Sequence, residues 1–170
     1  NVFIDSDNLS DLDLLFDIVK TKVHTLVVYL TQDTLRRPWC AGEITTAFSA
    51  SQAKVLCIWL PSFVEPTLEE MQDLSTYVDE TGCSLRQYAI AWDAVRDSFE
   101  FLLDPEITPR INMVNAPRSV RQYEQLADAV NKGYPCDLFG ESSEKFPPIP
   151  GESDQIVVSA DRMDEEAIAA

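Results

Sequence analysis

Apolar positions along the chain come in two kinds: short unbroken runs, and stretches where they recur every three or four residues. VFI at 2–4, TLVVYLT at 25–31 and KVLCIWL at 54–60 are unbroken and rich in β-branched or aliphatic residues, as in strands covered on both faces. Pro61 closes the third. After the first run, Leu12, Leu15, Phe16 and Val19 recur at helical spacing behind a cap at Ser10. After the second, a helix is expected from Trp39, with Cys40, Ile44, Ala47 and Phe48 on one stripe. TLEEMQDLSTYVDE (67–80) predicts one helix capped by Thr67, with acids in its first turn. QYAIAW (87–92) reads as a weaker strand, followed by a helix through Val95, Phe99, Leu102 and Leu103. Strands alternating with helices imply parallel pairing, so residues 1–103 are expected to form an α/β domain with a doubly wound parallel sheet.

The pattern changes after Asp104. Residues 104–132 read as an irregular segment, PEITPRINMVNAPRS, and a helical extension from Ser119 to Lys132 with Val120, Tyr123, Ala127 and Val130 on one side. Residues 133–154, GYPCDLFGESSEKFPPIPGESD, have the Pro, Gly, Ser and acid content of a linker. QIVVSADRMDEEAIAA (155–170) then reads as one strand and a helix start. It is expected either to open a further α/β unit or to supply a strand that completes the first sheet. A chain that opens directly on strand-like NVFID reads as a piece of a longer protein.

Charge narrows the field. A formal net charge of −16 over 170 residues repels phosphate backbones and anionic lipid, which argues against nucleic-acid and membrane roles. No apolar run approaches bilayer length. Cys40, Cys57, Cys83 and Cys136 are scattered, two within apolar stretches, which suits reduced thiols in a cytoplasmic protein. His24 is the single histidine, so Cys/His zinc sites and Ser-His-Asp triads lack material, and no metal or cofactor is expected. Any chemistry falls to carboxylates.

In a doubly wound sheet, ligands bind at the carboxyl ends of the strands. Asp5 and Asp7 follow the first strand, Thr31 ends the second, and Trp39 and Glu43 lie four residues apart on one ridge of the next helix. That ridge flanks the apolar stripe, so Glu43 is expected half-buried beside an indole, where desolvation raises a carboxylate's pKa. The same spacing also fits an acid placed near a helix N-terminus for its dipole alone. DSDNLSDLD (5–13) misses the EF-hand pattern, because Leu9 takes a ligand position and Ser10 the turn-glycine position. The arginines of LRRP (35–38) suit either an anionic ligand or the balancing of nearby acids. Cys40 reads as a core thiol.

Taken in order, VFIDSDNL, LVVYLT, PWCAGEI and KVLCIWL resemble a TIR domain (the Toll/interleukin-1 receptor type) over residues 2–103. PWCAGEI is similar to the Trp-Cys-x-x-Glu box of receptor and plant members, and YAIAW to the final strand of NAD-cleaving animal members. The resemblance implies a flavodoxin-like sheet and a signalling module that associates with itself or other TIR domains. In some members it implies an NAD⁺ glycohydrolase whose catalytic glutamate is Glu43 here. Asp5, Asp7, Thr31 and Trp39 would then contact NAD⁺ as substrate. A carboxylate suits that reaction, because breaking the nicotinamide–ribose bond creates an oxocarbenium-like cation. The family's usual first strand and helix do not precede VFID, and Leu12 stands where the enzymes commonly carry glycine. QIVVSADRMDEEAIAA has the look of that first strand and helix, with Ser159 and Arg162 at the strand's end.

Two other readings stand beside the enzyme. One is a TIR-like domain that only associates, through its acidic loop and helix faces. The other is a haloacid-dehalogenase-like phosphatase, which VFIDSDNL also resembles. There Asp5 would be nucleophile, Asp7 acid/base, Thr31 a phosphate contact, and Asp161 with Asp164 magnesium ligands.

Overall fold

The computed structural model of the chain describes residues 14–50, 53–113, 115 and 119–132, together with the backbone of three short strands at 2–4, 136–138 and 156–159. In chain order the elements are β1 (Val2–Ile4), α1 (Leu15–Lys22), β2 (Thr25–Leu30), α2 (Pro38–Ser49) and β3 (Lys54–Trp59). There follow α3 (Leu68–Gln72), α4 (Leu74–Tyr77), α5 (Trp92–Leu103), β4 (Arg110–Met113), α6 (Val120–Lys132), β5 (Cys136–Leu138) and β6 (Ile156–Ser159). The strands form one parallel sheet in the order β1-β6-β2-β3-β4-β5. With β6 counted first, that order is compatible with the 2-1-3-4-5 arrangement of flavodoxin-like sheets.

β2 runs fully in register with β3, Thr25 opposite Lys54 through Leu30 opposite Trp59, and pairs on its other side with β6. Successive side chains of a strand point to opposite faces. On one face Leu26, Val28, Leu30 and Cys57 pack against Leu15, Phe16 and Val19 of α1, Ala41, Ile44 and Ala47 of α2, and Val95, Phe99 and Leu102 of α5. On the other, Val27, Leu56, Ile58, Leu60, Ile111 and Met113 meet Leu126 of α6, with Tyr29, Ala129 and Val130 at the margin. Helices therefore cover both faces, which is why β2 and β3 carry no polar alternation. One buried polar pair crosses the helix layer. The hydroxyls of Thr45 (α2) and Ser98 (α5) are 3.0 Å apart, and each also donates to a carbonyl in its own helix, Ala41 and Val95. No hydroxyl there is left to face apolar surroundings alone.

Several expectations need correcting. QYAIAW is not a strand: Leu85–Tyr88 form a 3₁₀ turn and Ala89 adopts φ 59°, in the left-handed region. Of its residues, Tyr88, Ile90 and Trp92 pack against the core beside the buried Leu85, while Ala89 and Ala91 are exposed. The fourth strand is RINM, from the segment that reads as irregular, with Ile111 and Met113 buried and Arg110 and Asn112 half-buried. The helix expected over 67–80 is two short ones. Thr67 and Glu70 form a reciprocal capping box, but Asp73 (φ −128°, ψ 75°) breaks the helix, and Arg96 of α5 donates to the carbonyls of Met71 and Gln72 that the break frees. On α2, Phe48 is 37% exposed and so leaves the expected stripe, while Ile44 and Ala47 hold it. On α6 the buried side is Leu126 with Ala129 and Val130, whereas Val120 is 75% exposed and Ala127 is also exposed. Within the linker-like stretch, Cys136–Leu138 pairs with β4. Ile156–Ser159 lies between β1 and β2.

Burial pushes the Tyr29 phenol up to about 12, with Tyr123 of α6 adding to the effect. A phenol that holds its proton more tightly in the folded state stabilises fully below its unfolded value near 10, and that stabilisation is lost as pH rises through about 12. Stability should therefore fall by roughly 2 kcal/mol from this group between those limits. Urea titrations of wild type and Tyr29→Phe across that range check it, since the variant cannot ionise there and should lose that part of the slope.

Candidate functional site

Of the candidate residues, Thr31, Trp39 and Glu43 are described, and they lie on α2 and the connection that leads into it. That connection is set by two threonines. Thr31 donates its backbone N–H to the Thr34 hydroxyl at 3.0 Å, the two hydroxyls lie 2.9 Å apart, and Thr34 donates back to the Tyr29 carbonyl at 2.7 Å. Both threonines are buried, so this knot fixes how the chain turns from β2 into the Thr34–Arg36 3₁₀ turn. Pro38 occupies the first turn of α2, where its missing N–H costs nothing. Arg36 lies 3.0 Å from Glu70 of α3 and 4.3 Å over the Tyr77 ring, so its guanidinium ties the connection to α3 and α4. Hydrogen bonds from Thr67 and the Arg36 charge hold the exposed Glu70 carboxyl below its ordinary range.

Trp39 is half-buried. Its ring stacks on Phe16 of α1 at 5.5 Å and tilts against Tyr88 at 5.5 Å, while Phe16 and Tyr88 meet edge-on at 4.9 Å. Three aromatic rings from three separate segments thus close over the first turns of α2. One turn on, Glu43 is 2% exposed, among the most deeply buried large side chains of the described residues. The half-buried position expected from sequence understates this. A carboxylate so placed must be neutral, paired or hydrogen-bonded to persist. Cys40, also on α2, is a buried thiol.

Sequence reasoning missed what brings the aromatic rings together around Trp39. Gly42 sits directly against Phe16: a methyl group there would overlap the ring and stand 3.2 Å from Leu85. A glycine inside a helix, where no turn requires it, is the signal that was available. Phe16 is legible as part of its helical stripe, but Tyr88 is hidden by the strand-like look of QYAIAW. Of the predicted site residues, Trp39 and Glu43 share α2, and Thr31 lies at the end of the strand that feeds it, its hydroxyl engaged with Thr34. Asp5, Asp7, Asp161, Asp164 and the DSDNLSDLD run lie outside the described residues. Among the described residues, no group of three or more His, Cys, Asp and Glu side chains is placed to hold a metal ion, and no helix is long and apolar enough to cross a membrane.

No family model, curated protein or solved structure matches the chain.

Gly42→Ala is expected to destabilise the fold by about 1–3 kcal/mol, because the overlap with Phe16 outweighs the gain of up to about 1 kcal/mol in helix propensity. Urea unfolding measures it. An unchanged or raised midpoint would mean that the Phe16 ring yields without cost and does not clamp α2.

Proposed function

We propose that the chain is a TIR-like signalling module of the cytoplasm that self-associates and, through Glu43, cleaves the nicotinamide–ribose bond of NAD⁺. The observation that carries this reading is the deep burial of Glu43 one helical turn from Trp39, whose indole packs with the Phe16 and Tyr88 rings. A carboxylate in such surroundings has a low effective dielectric and weak competition from water, so it stabilises a developing ribosyl cation far more than it could in solvent. The half-buried Trp39 and Tyr88 rings supply flat apolar surface of the kind that holds a nicotinamide or adenine base. The strand order, compatible with a flavodoxin-like sheet, and the PWCAGEI box on the helix after β2 also support the family reading.

A second reading has its own observation. Glu43 is almost inaccessible and the Thr31 hydroxyl is already held by Thr34, an arrangement that equally supports a helix whose work is structural, in a module that only associates. The phosphatase reading has less support, because β6 lies between β1 and β2. The strand leading to Asp5 and the strand ending at Thr31 are thus two spacings apart, roughly 10 Å.

Nicotinamide release from NAD⁺ by wild type and Glu43→Gln, at high protein concentration, separates the readings. The enzyme reading expects release by the wild type and a loss of about 100-fold or more in the variant, with the far-UV spectrum unchanged. Release unaffected by Glu43→Gln would remove Glu43 from the chemistry. No release by either folded protein would leave association as the function.

A further inference from the structure

β6 is joined to the rest of the sheet in an unusual way. It comes from the far end of the chain, yet it occupies an interior position, pairing with β1 from Val2 opposite Ile156 to Ile4 opposite Val158, and with β2 from Thr25 opposite Ile156 to Val28 opposite Ser159. Among the described strands β1 has no other partner, so the position of β1 depends on β6. Among the described residues, β6 pairs with β1 and β2 through two backbone ladders of three and four residue pairs. A backbone ladder does not distinguish the chain's own Ile156–Ser159 from the identical segment of another copy.

The geometry of the connection permits both. Seventeen residues, 139–155, join β5 to β6. β5 and β6 are four strand positions apart, roughly 19 Å, and the parallel sense adds a return of roughly 10 Å along the strand. A segment of that length can reach roughly 55–60 Å when extended. The surplus is enough for β6 to enter the gap between β1 and β2 of a neighbouring molecule.

We propose that β6 is an exchangeable strand and that two copies of the chain associate by each inserting Ile156–Ser159 between β1 and β2 of the other. This deepens the self-association part of the proposed function and does not depend on the catalytic part. In the exchanged dimer, each sheet against which α2 packs, with Trp39 and Glu43 on that helix, is completed by its partner, and β1 is held by the partner's strand. A tethered strand has an effective concentration in the millimolar range, so exchange between copies competes at protein concentrations of that order or where the chains are held together. The net charge of −16 opposes the encounter at low ionic strength and is screened as salt is added.

The test uses the full chain. Thr25 and Ile156 are register partners across the β2–β6 ladder. Thr25→Cys chains carrying ¹⁵N are mixed with unlabelled Ile156→Cys chains at about 1 mM and high salt, and treated with a short-arm thiol cross-linker. The double variant reports closure within one molecule, each single variant alone provides the background, and sedimentation of the same samples gives their mass. The proposal expects a mixed-isotope heterodimer linked through the two introduced cysteines, several-fold above background and rising with protein concentration and salt. A cross-link in the double variant without the heterodimer overturns exchange. So does the absence of both, since β6 would then not lie beside β2. Dimers in sedimentation without the heterodimer overturn exchange but leave self-association through another surface, whereas monomers throughout remove both.

Discussion

The rest of the molecule hangs on one constraint: a parallel sheet must satisfy its backbone on both sides of every interior strand and cover both of its faces. β2 is where these demands meet. Its two ladders, to β3 and β6, fix the sheet order, and its alternating side chains seed two cores. A parallel neighbour cannot be reached by a tight hairpin, so β2, β3 and β4 each hand the chain to a helical crossover that must lie back on the sheet. The helix after β2 is α2, and its entry is determined by the Thr31–Thr34 knot immediately beyond the strand. Register in the sheet thereby becomes position in the site.

Once placed, α2 is gripped from two sides. α1 approaches closely enough that Gly42 admits no side chain, and α5 adds the Thr45–Ser98 hydroxyl pair in an otherwise apolar interface. These contacts are structural, yet they hold the helix on which Glu43 is buried and on which Trp39 meets Phe16 and Tyr88. The features that carry the proposed chemistry are by-products of close helix packing. For that reason a catalytic and a purely associative reading can rest on the same geometry.

The sequence was most legible where burial on both faces removes polar residues. TLVVYL and KVLCIW could be read as interior parallel strands because their central residues are apolar and buried on both faces, and α2 and α5 followed from their apolar periodicity. Legibility failed where short apolar segments serve irregular structure. QYAIAW alternates like a strand, but its larger side chains pack against the core outside any strand, and the left-handed Ala89 gives no composition signal of the kind a glycine would. RINM also alternates, but four residues amid prolines look irregular until the β3 edge is there to pair with them. The break at Asp73 depends on Arg96, distant in sequence, to satisfy the freed carbonyls. In the site, the Trp39–Glu43 ridge was visible from spacing alone. The depth of Glu43 was not, because burial is set by packing between segments distant in sequence.

Amide hydrogen exchange on the full chain, read residue by residue, tests most directly whether β6 completes the sheet. The account expects Val27 and Val28 on β2 and the interior of Ile156–Ser159 to exchange together, through the same slow opening, with β1 amides protected alongside them. Exchange of residues 156–159 and 2–4 at unprotected rates, while β2 and β3 remain slow, would contradict it: β2 would then be the edge of the sheet, and β6 no part of it.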